Sequence, residues 1–438
     1  MSTTATTTET TANEHINCAE KSLKRPFSDI ENQSTTEPLE PLAKSKSERI
    51  LNLFTREGND IPLHLAPMVR IGTLPTRLLA LEYGASLVWG PEIVDRAILE
   101  STRTVDPVTG VINYTVPNTN IKPAKKKKGK PSEEEDEVLG DRRVIFSTHP
   151  IETPNFVFQL GTADPDLAKQ AVAKLLPDIR AISLNAGCPK HFSVHNGMGA
   201  GLLEPERRET MVQIIKNLCS FENLVVDVKI RLRPTEEDTE NLVTRIITET
   251  KMDHLSLHCR TREMRSSEPA LWSRGKTVVD LVRKIQEEHK QRTRPVEVTI
   301  NGDCFSASEA QSILEQTGAP TILIARGAER NPSCFSSSGP EDLVTKVIPR
   351  LLSISEYIKN PWGNTKYILN TYDVGGPAGG APPLSRKERG RIKEQINQLK
   401  NLHDGMAQFP LPPVEGSDPQ SRFEQLVPNW YKTWSEIK

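Results

Sequence analysis

Eight short apolar or β-branched runs, each closing on polar or glycine residues and each followed by a helical stretch, leave this chain few folds. The runs are LHLAPM (63–68), SLVWGPE (86–92), FVFQLG (156–161), ISLNAGCP (182–189), LVVDVKIRL (224–232), LSLHCR (255–260), VEVTINGD (296–303) and TILIARGA (321–328). Parallel strands buried on both faces read as near-continuous apolar runs, and these do. The segments between them carry the helical period. Leu167, Ala171, Val172 and Leu175 share one face of 166–176, and Met211, Ile214, Ile215 and Leu218 share one face of 208–218. PTEEDTENLVTRIITE begins with a proline and acids, which suit the positive end of a helix. Eight alternating units predict an α/β fold of the TIM (β/α)8 type over residues 49–350. An open doubly wound sheet is the runner-up. It does not require eight units, and the glycine-rich nucleotide fingerprint after the first strand is missing.

The flanks read differently. Residues 1–48 are rich in Thr, Ser, Glu and Pro without any period, so a disordered N-terminal tail is expected. Residues 101–147 break the barrel pattern and contain PAKKKKGKPSEEEDE. A flexible insertion over about 101–150 is expected there, as a solvated loop whose charged blocks attract each other. A basic finger touching RNA is the sharper alternative. VGGPAGGAPP (374–383) marks a flexible break in a C-terminal helical region, 351–438.

Bulk properties narrow the class. Formal net charge is −1, so affinity for nucleic acid has to come from local patches. The 6 cysteines form no CxxC pair and no disulfide framework, which points to a reducing compartment, cytoplasm or nucleus. No apolar run is long enough to span a membrane. No secretory leader is visible, and LKRPFSD is only a weak nuclear-import lookalike.

Function in a TIM barrel sits at the carboxyl ends of the strands. Those ends carry Met68, Gln159, Asn185, Cys188, Lys229, Arg231, His258, Arg260, Asn301, Asp303 and Arg326, from seven of the eight runs. NGD after the seventh run and ARGAERNP after the eighth fit the phosphate site common at that place, with Arg326 as a bidentate partner. Gln159 and Asn185 offer paired donors and acceptors to the edge of a flat ring, Lys229 a point cation, and His258 a ring donor. This is the profile of a flavin mononucleotide site.

At these residues the chain resembles the tRNA-dihydrouridine synthases. LAPMVRIGTLPTRLLALEYGA, FQLGTADPDLA, NAGCPKHFSVHNGMGAGLL, VKIRL, LHCRTRE, NGD and ARGAERNPSCF stand in the family's order over about 63–335. The cysteine loop, MVRIGTLP and NTKY (364–367) are most similar to the eukaryotic branch acting on uridine 20 of the tRNA D-loop. The resemblance implies FMN as cofactor, NADPH or NADH as reductant, tRNA as partner, and reduction of the uracil 5,6 double bond. Carried over by motif, FMN is held by Pro67, Met68, Val69, Gln159, Lys229, His258, Asn301, Gly302, Asp303, Ala325 and Arg326, and Cys188 is catalytic. No metal is implied, and a monomer is expected. Two departures stand out: Ala325 replaces a glycine common in relatives, and Gly201 replaces an alanine.

The role of Cys188 follows from chemistry. Hydride arriving at uracil C6 leaves charge towards C5, which needs a proton. A thiol is mostly protonated at pH 7 and can supply it. Cys259, on the alternate face of its strand, and Cys219, in a helix, read as small buried hydrophobes. The basic segment SRKERGRIKEQINQLKNLHDGM places Ile392, Ile396, Leu399 and Met406 at helical spacing, and its Arg389, Arg391 and Lys393 are candidates for phosphate contact. Two rival functions are an FMN barrel oxidoreductase acting on a small pyrimidine or enone, and a catalytically inactive RNA-binding protein. The long Gly-Cys-Pro loop and the basic segment oppose the first. The intact set of Cys188, Lys229, His258 and Arg326 opposes the second.

Overall fold

The computed structural model describes residues 44–56, 58, 60–118, 138–139, 142–289, 295–376 and 384–411. The expected disordered tail, up to residue 43, lies outside the described residues. So do the charged blocks at 123–137 and the 377–383 part of the glycine-rich break.

All eight apolar runs are strands of one closed parallel barrel. They are β1 (Leu63–Leu65), β2 (Leu87–Val94), β7 (Phe156–Gly161), β8 (Ala181–Ala186), β9 (Val225–Arg231), β10 (His254–His258), β11 (Glu297–Asn301) and β12 (Thr321–Ile324), joined in the order β1-β12-β11-β10-β9-β8-β7-β2. The missing numbers belong to an insertion between β2 and β7. There β3 (Thr102–Val105), β4 (Ile112–Pro117), β5 (Val138–Leu139) and β6 (Arg142–Thr148) form an antiparallel sheet. This corrects the expected loop over 101–147. The charged blocks point towards solvent, but the alternation in 112–117 and 142–148 buries Ile112, Tyr114, Val144 and Phe146.

Helices cover the barrel: α1 (Lys44–Asn52), α2 (Leu74–Glu82), α3 (Asp95–Glu100), α4 (Pro165–Leu175), α5 (His191–His195), α6 (Arg208–Leu218), α7 (Glu236–Glu249), α8 (Trp272–Glu288), α9 (Ala307–Thr317) and α10 (Arg326–Arg330). On α6 the expected face is buried: Met211, Ile214, Ile215 and Leu218, with Val212. Asp164 starts α4 by accepting the amides of Asp166 and Leu167, and Ala168 takes the buried position expected of Leu167. Each such apolar side chain contributes about 1.5–3 kcal/mol on full burial.

The strands divide their side chains between two cores, as period 2 requires. Val88, Phe156, Phe158, Ile182 and Leu184 face the helices. Leu87, Trp89, Val157, Ala181, Val225 and Leu323 form an interior cluster with Ile50 and Phe54, the latter just past α1. A polar layer adjoins it: Asp227 on β9 accepts from His254 Nδ1 at 2.7 Å and Ser256 Oγ at 2.9 Å, and Phe54 stacks on His254 at 3.7 Å.

C-terminal to the barrel, α11 (Ile348–Tyr357), α12 (Trp362–Thr371), α13 (Arg386–Gln398) and α14 (Leu402–Gln408) follow. Leu351, Leu352, Ile368, Ile392 and Ile396 share a core with Leu74, Leu78 and Leu79 of α2, so this region is docked on the barrel wall. The basic segment is two helices, not one. α13 starts at a Ser385–Glu388 capping box and ends at Leu399.

One buried ion pair ties the insertion to the barrel. Arg77 of α2 donates to both Glu152 oxygens at 2.8 and 2.7 Å and to the Ser147 carbonyl at 2.7 Å, and Thr148 Oγ1 donates to Glu152 at 2.8 Å. Both side chains are essentially excluded from solvent, at 1% and 0% exposure. Removing one partner strands the other charge. Glu152→Ala is expected to destabilise the fold by about 3–5 kcal/mol, read from the midpoint of urea unfolding. A variant within ~0.5 kcal/mol of wild type shows that Arg77 finds another partner.

Candidate active site

The carboxyl ends of the strands bring the candidate residues together at one mouth. Neighbouring strands set them side by side through their register: Gln159 pairs with Glu92, Asn185 with Lys229, and His258 with both Arg231 and Asn301. Side chains in register on parallel strands share a face.

Lys229 is buried and donates to Asn301 Oδ1 at 3.2 Å, while Asn301 Nδ2 donates to the Leu323 carbonyl at 2.9 Å. Asn301 therefore spends both ends of its amide on aiming Lys229. Burial, and then the charge of Arg231, pushes the Lys229 pKa down to about 8. His258 is held neutral. Burial pushes its pKa well below the ordinary value, and Lys229, Arg231, Arg260 and Arg326 add to the shift. Arg260 donates to its Nε2 at 3.3 Å, so the ring proton sits on Nδ1.

His258, Gly302, Asp303, Ala325 and Arg326 line a cavity of about 200 Å³ with Ser266. Gly302 has φ 132°, and a Cβ there would meet Ala270 Cβ at 2.9 Å, so neither backbone nor space accepts another residue. Asp303 pairs with both Arg260 and Arg326 and accepts the Ala270 amide at 2.7 Å. Its carboxylate is committed to aiming two guanidinium groups, and a bare carboxylate would repel a phosphate. Arg326 also donates to the Ser266 carbonyl at 2.9 Å. Ala325 stands immediately before α10.

Gln159 is 3% exposed, and its Nε2 finds no partner among the described residues. A buried amide donor left open is costly unless a ligand receives it. Pro67 and Met68 are half-buried after β1, and Val69 is 45% exposed. This loop is held from the C-terminal region. Asn364 of α12 donates to the Arg70 carbonyl at 3.1 Å and accepts from Thr73 Oγ1 at 2.9 Å. Arg70 adopts φ 66°, which is strained for a residue with a side chain, and its guanidinium lies 3.8 Å from the Tyr367 ring centre. The NTKY stretch thus anchors the strand-1 loop, a link the sequence could not show.

Cys188 is half-buried at the start of the glycine-rich loop. Asn185 Oδ1 accepts its amide at 3.1 Å and that of Gly187 at 3.0 Å, and Arg231 donates to the Gly187 carbonyl at 2.7 Å. Burial, then the nearby Glu92 carboxyl, pushes the thiol pKa up. The thiol therefore stays protonated. Cys259 is buried against Gly275 of α8, with its pKa pushed up to about 12. Cys219 is half-buried at the end of α6.

Glu92 is the residue that sequence reading passed over. The run SLVWGPE was the one strand credited with no functional group, although it ends in this carboxylate. Glu92 lines a groove of about 560 Å³ with Val69, Arg70, Arg143, Lys190 and Tyr367. A larger cavity of about 870 Å³ runs from α1 past Asp253 to Glu297, where β11 begins, and contains none of the strand-end groups described above. Among the described residues, no cluster of His, Cys, Asp or Glu is placed to hold a metal, and no helix is long and apolar enough to cross a membrane.

A family model described as dihydrouridine synthase matches residues 64–372. The chain is 41% identical over 311 residues to a tRNA-dihydrouridine(20) synthase, NAD(P)+, of Schizosaccharomyces pombe, covering 70% of this chain and 58% of that protein. It is 34% identical over 318 residues to the Saccharomyces cerevisiae protein described in the same words, covering 70% and 76%. A tRNA-dihydrouridine(20a/20b) synthase of Schizosaccharomyces pombe is more distant, at 27% over 325 residues, with 73% of this chain and 79% of that protein covered.

Proposed function

This chain belongs to the dihydrouridine synthase family, and on that premise we propose that it reduces the 5,6 double bond of uridine 20 in the tRNA D-loop. Flavin mononucleotide is the proposed cofactor, and NADPH or NADH the reductant. The names of the two tRNA-dihydrouridine(20) synthases support position 20 and a nicotinamide nucleotide. The observation that carries the reading is a half-buried thiol with a raised pKa at a barrel mouth whose other polar groups suit a flat, phosphorylated ligand.

The residues present fit that ligand. The open Nε2 of Gln159 suits a ring carbonyl, Lys229 an anionic ring edge, and the Gly302–Arg326 cavity a phosphate. Pro67, Met68 and Val69 would cover the ring from the β1 side. Flavin held there would supply the two-electron chemistry at uracil C6. Cys188 then gives its Sγ proton to C5, and the raised thiol pKa keeps that proton available at neutral pH. Asn185 and Arg231 hold the cysteine loop while this happens. The base has to leave the tRNA tertiary structure to reach Cys188, as in other base-modifying enzymes. The test is direct: purified protein, FMN, NADPH and unmodified tRNA, with dihydrouridine mapped by mass spectrometry. No dihydrouridine at any position overturns the reading.

Contact with tRNA outside the mouth is proposed for α13. Arg386, Lys387, Arg389 and Arg391 are exposed. Lys393 is not available, because its ammonium donates to the Asn370 and Tyr372 carbonyls at 2.9 and 2.6 Å. Reversing Arg386, Lys387 and Arg391 to Glu is expected to weaken tRNA binding at least ~10-fold at moderate salt and to reduce the salt slope by about 0.9 per lost phosphate contact. Equal affinity across a salt series would make α13 a solvated face only.

A further inference from the structure

Glu92 sits where the register of β2 changes. Trp89 pairs with Val157 and Glu92 with Gln159, so β2 has one more residue than β7 between these pairs. That bulge turns Glu92 to the same face as Gln159, where unbroken alternation would have turned Pro91. Space is kept for it: a Cβ on Gly161 would lie 2.6 Å from Glu92 Oε1. Both carboxyl oxygens are buried, and among the described residues no well-formed hydrogen bond reaches either. Cys188, Asn185, Ser193 and Lys190 face them. Ser193 Oγ is also buried and, among the described residues, makes no well-formed hydrogen bond. Gly199, at φ 55°, lets the loop close on this group. Any Cβ there would meet Ser193 Oγ at 2.5 Å and Cys188 Cβ at 3.0 Å.

A carboxyl so placed is poor packing, since an amide or a leucine would fill the space at lower cost. It makes sense as an acid that keeps its proton. We propose that Glu92 is the proton reservoir of Cys188, passing its carboxyl proton to Sγ as the thiol proton goes to C5 of the uracil. This rests on the uridine-reducing reading above. The balance is closed. The electron pair left at C5 takes the Sγ proton, the thiolate takes the Glu92 O–H proton, and water reprotonates the carboxylate after product leaves. Nothing is oxidised or reduced in the relay. Lys190 offsets the transient carboxylate.

The electrostatics agree. Burial raises the Glu92 pKa, and contacts from Cys188, Asn185, Lys190 and Ser193 only partly oppose it. Burial and Glu92 raise that of Cys188, against Ser193 and Lys190. Lys229 and Arg231 also feel the thiol from β9. Burial therefore holds both protons, and the Glu92 carboxylate, once formed, disfavours the thiolate beside it.

Glu92→Gln has the same shape and no proton to give. Peptide-level iodoacetamide labelling of Cys188 in the full-length protein without tRNA is expected to shift to lower pH, because the carboxylate that forms before the thiolate as pH rises is gone. Steady-state dihydrouridine formation is expected to fall at least ~10-fold, although the thiol has become more reactive. Glu92→Asp, which restores a carboxyl, is expected to recover part of that rate. A labelling midpoint at lower pH with slower turnover is a combination that lost packing does not produce, since greater exposure speeds labelling at every pH without moving the midpoint. An unmoved labelling profile overturns the pairing. A moved profile with unchanged turnover overturns the relay. Wild-type protein inert towards tRNA overturns the reading of function instead, and labelling still decides whether Glu92 and Cys188 are coupled.

Discussion

Cys188→Ala is expected to reduce dihydrouridine formation about 10²–10⁴-fold, the usual worth of a positioned general acid, while the protein still binds flavin and tRNA. The reason lies in the division of labour at the mouth. Flavin is assigned to groups after β1, on β7, β9 and β10, on and after β11, and after β12, none of which is moved by deleting one sulfur. Cys188 is fixed instead through its backbone, by Asn185 and by the Ala200 amide, which donates to its carbonyl at 2.9 Å. Alanine keeps those bonds and loses only Sγ. Reduction of the flavin by NADPH should therefore run at a near wild-type rate, and its reoxidation by unmodified tRNA should be slow. Stopped-flow absorbance separates the two. A wild-type reoxidation rate in the variant would leave Cys188 as a packing residue. Activity should also persist to higher pH than for an ordinary thiol, which ionises near pH 8.5, because burial and Glu92 raise the Cys188 pKa.

Arg326→Ala is expected to weaken FMN binding about 10–100-fold, the worth of a hydrogen bond to a charged group at ~1.5–3 kcal/mol. Arg326 lines the small cavity and is aimed by Asp303 and the Ser266 carbonyl. Riboflavin, which lacks the phosphate, should bind wild type and variant alike. Equal loss for both ligands would mean the substitution collapses the cavity. Lys229 adds a pH dependence with a definite sign. Its pKa is lowered from 10.5 to about 8, so the ammonium is present below that pH and lost above it. FMN affinity is expected to fall as pH rises through about 8, and Lys229→Met should flatten the profile. Ligand-free stability moves the other way. Between about 8 and 10.5 the unfolded chain holds a proton that the folded chain has released, so this residue's contribution to stability rises with pH across that window. Fluorescence titration of FMN and urea unfolding at matched pH values measure the two effects.

Much of this molecule can be read from local order alone. A strand buried on both faces must be apolar throughout, and a helix packed on it must repeat every 3.6 residues, so the eight units and their helices are written in consecutive residues. The functional end of the barrel follows from the same order, because each strand finishes where its apolar run gives way to Gln159, Asn185, Lys229, His258 or Asn301. The insertion was misread where charge composition outweighed a weak alternation: Tyr114 and Phe146, both buried, lie in strands that flank a highly charged stretch. Other features depend on residues that are distant in the chain and meet only once register and docking are fixed. Arg77 finds Glu152, Asn364 finds the strained Arg70 carbonyl, and Asp303 takes up two arginines instead of facing a phosphate. Glu92 is the sharpest case. Strict alternation on β2 points it away from the barrel interior, and one extra residue against β7 turns it towards Cys188. Sequence thus determined the fold and the place of the chemistry, because periodicity is a local property. Tertiary structure decided which groups face one another there, because a shift of one residue in strand pairing reverses the side on which every later side chain lies.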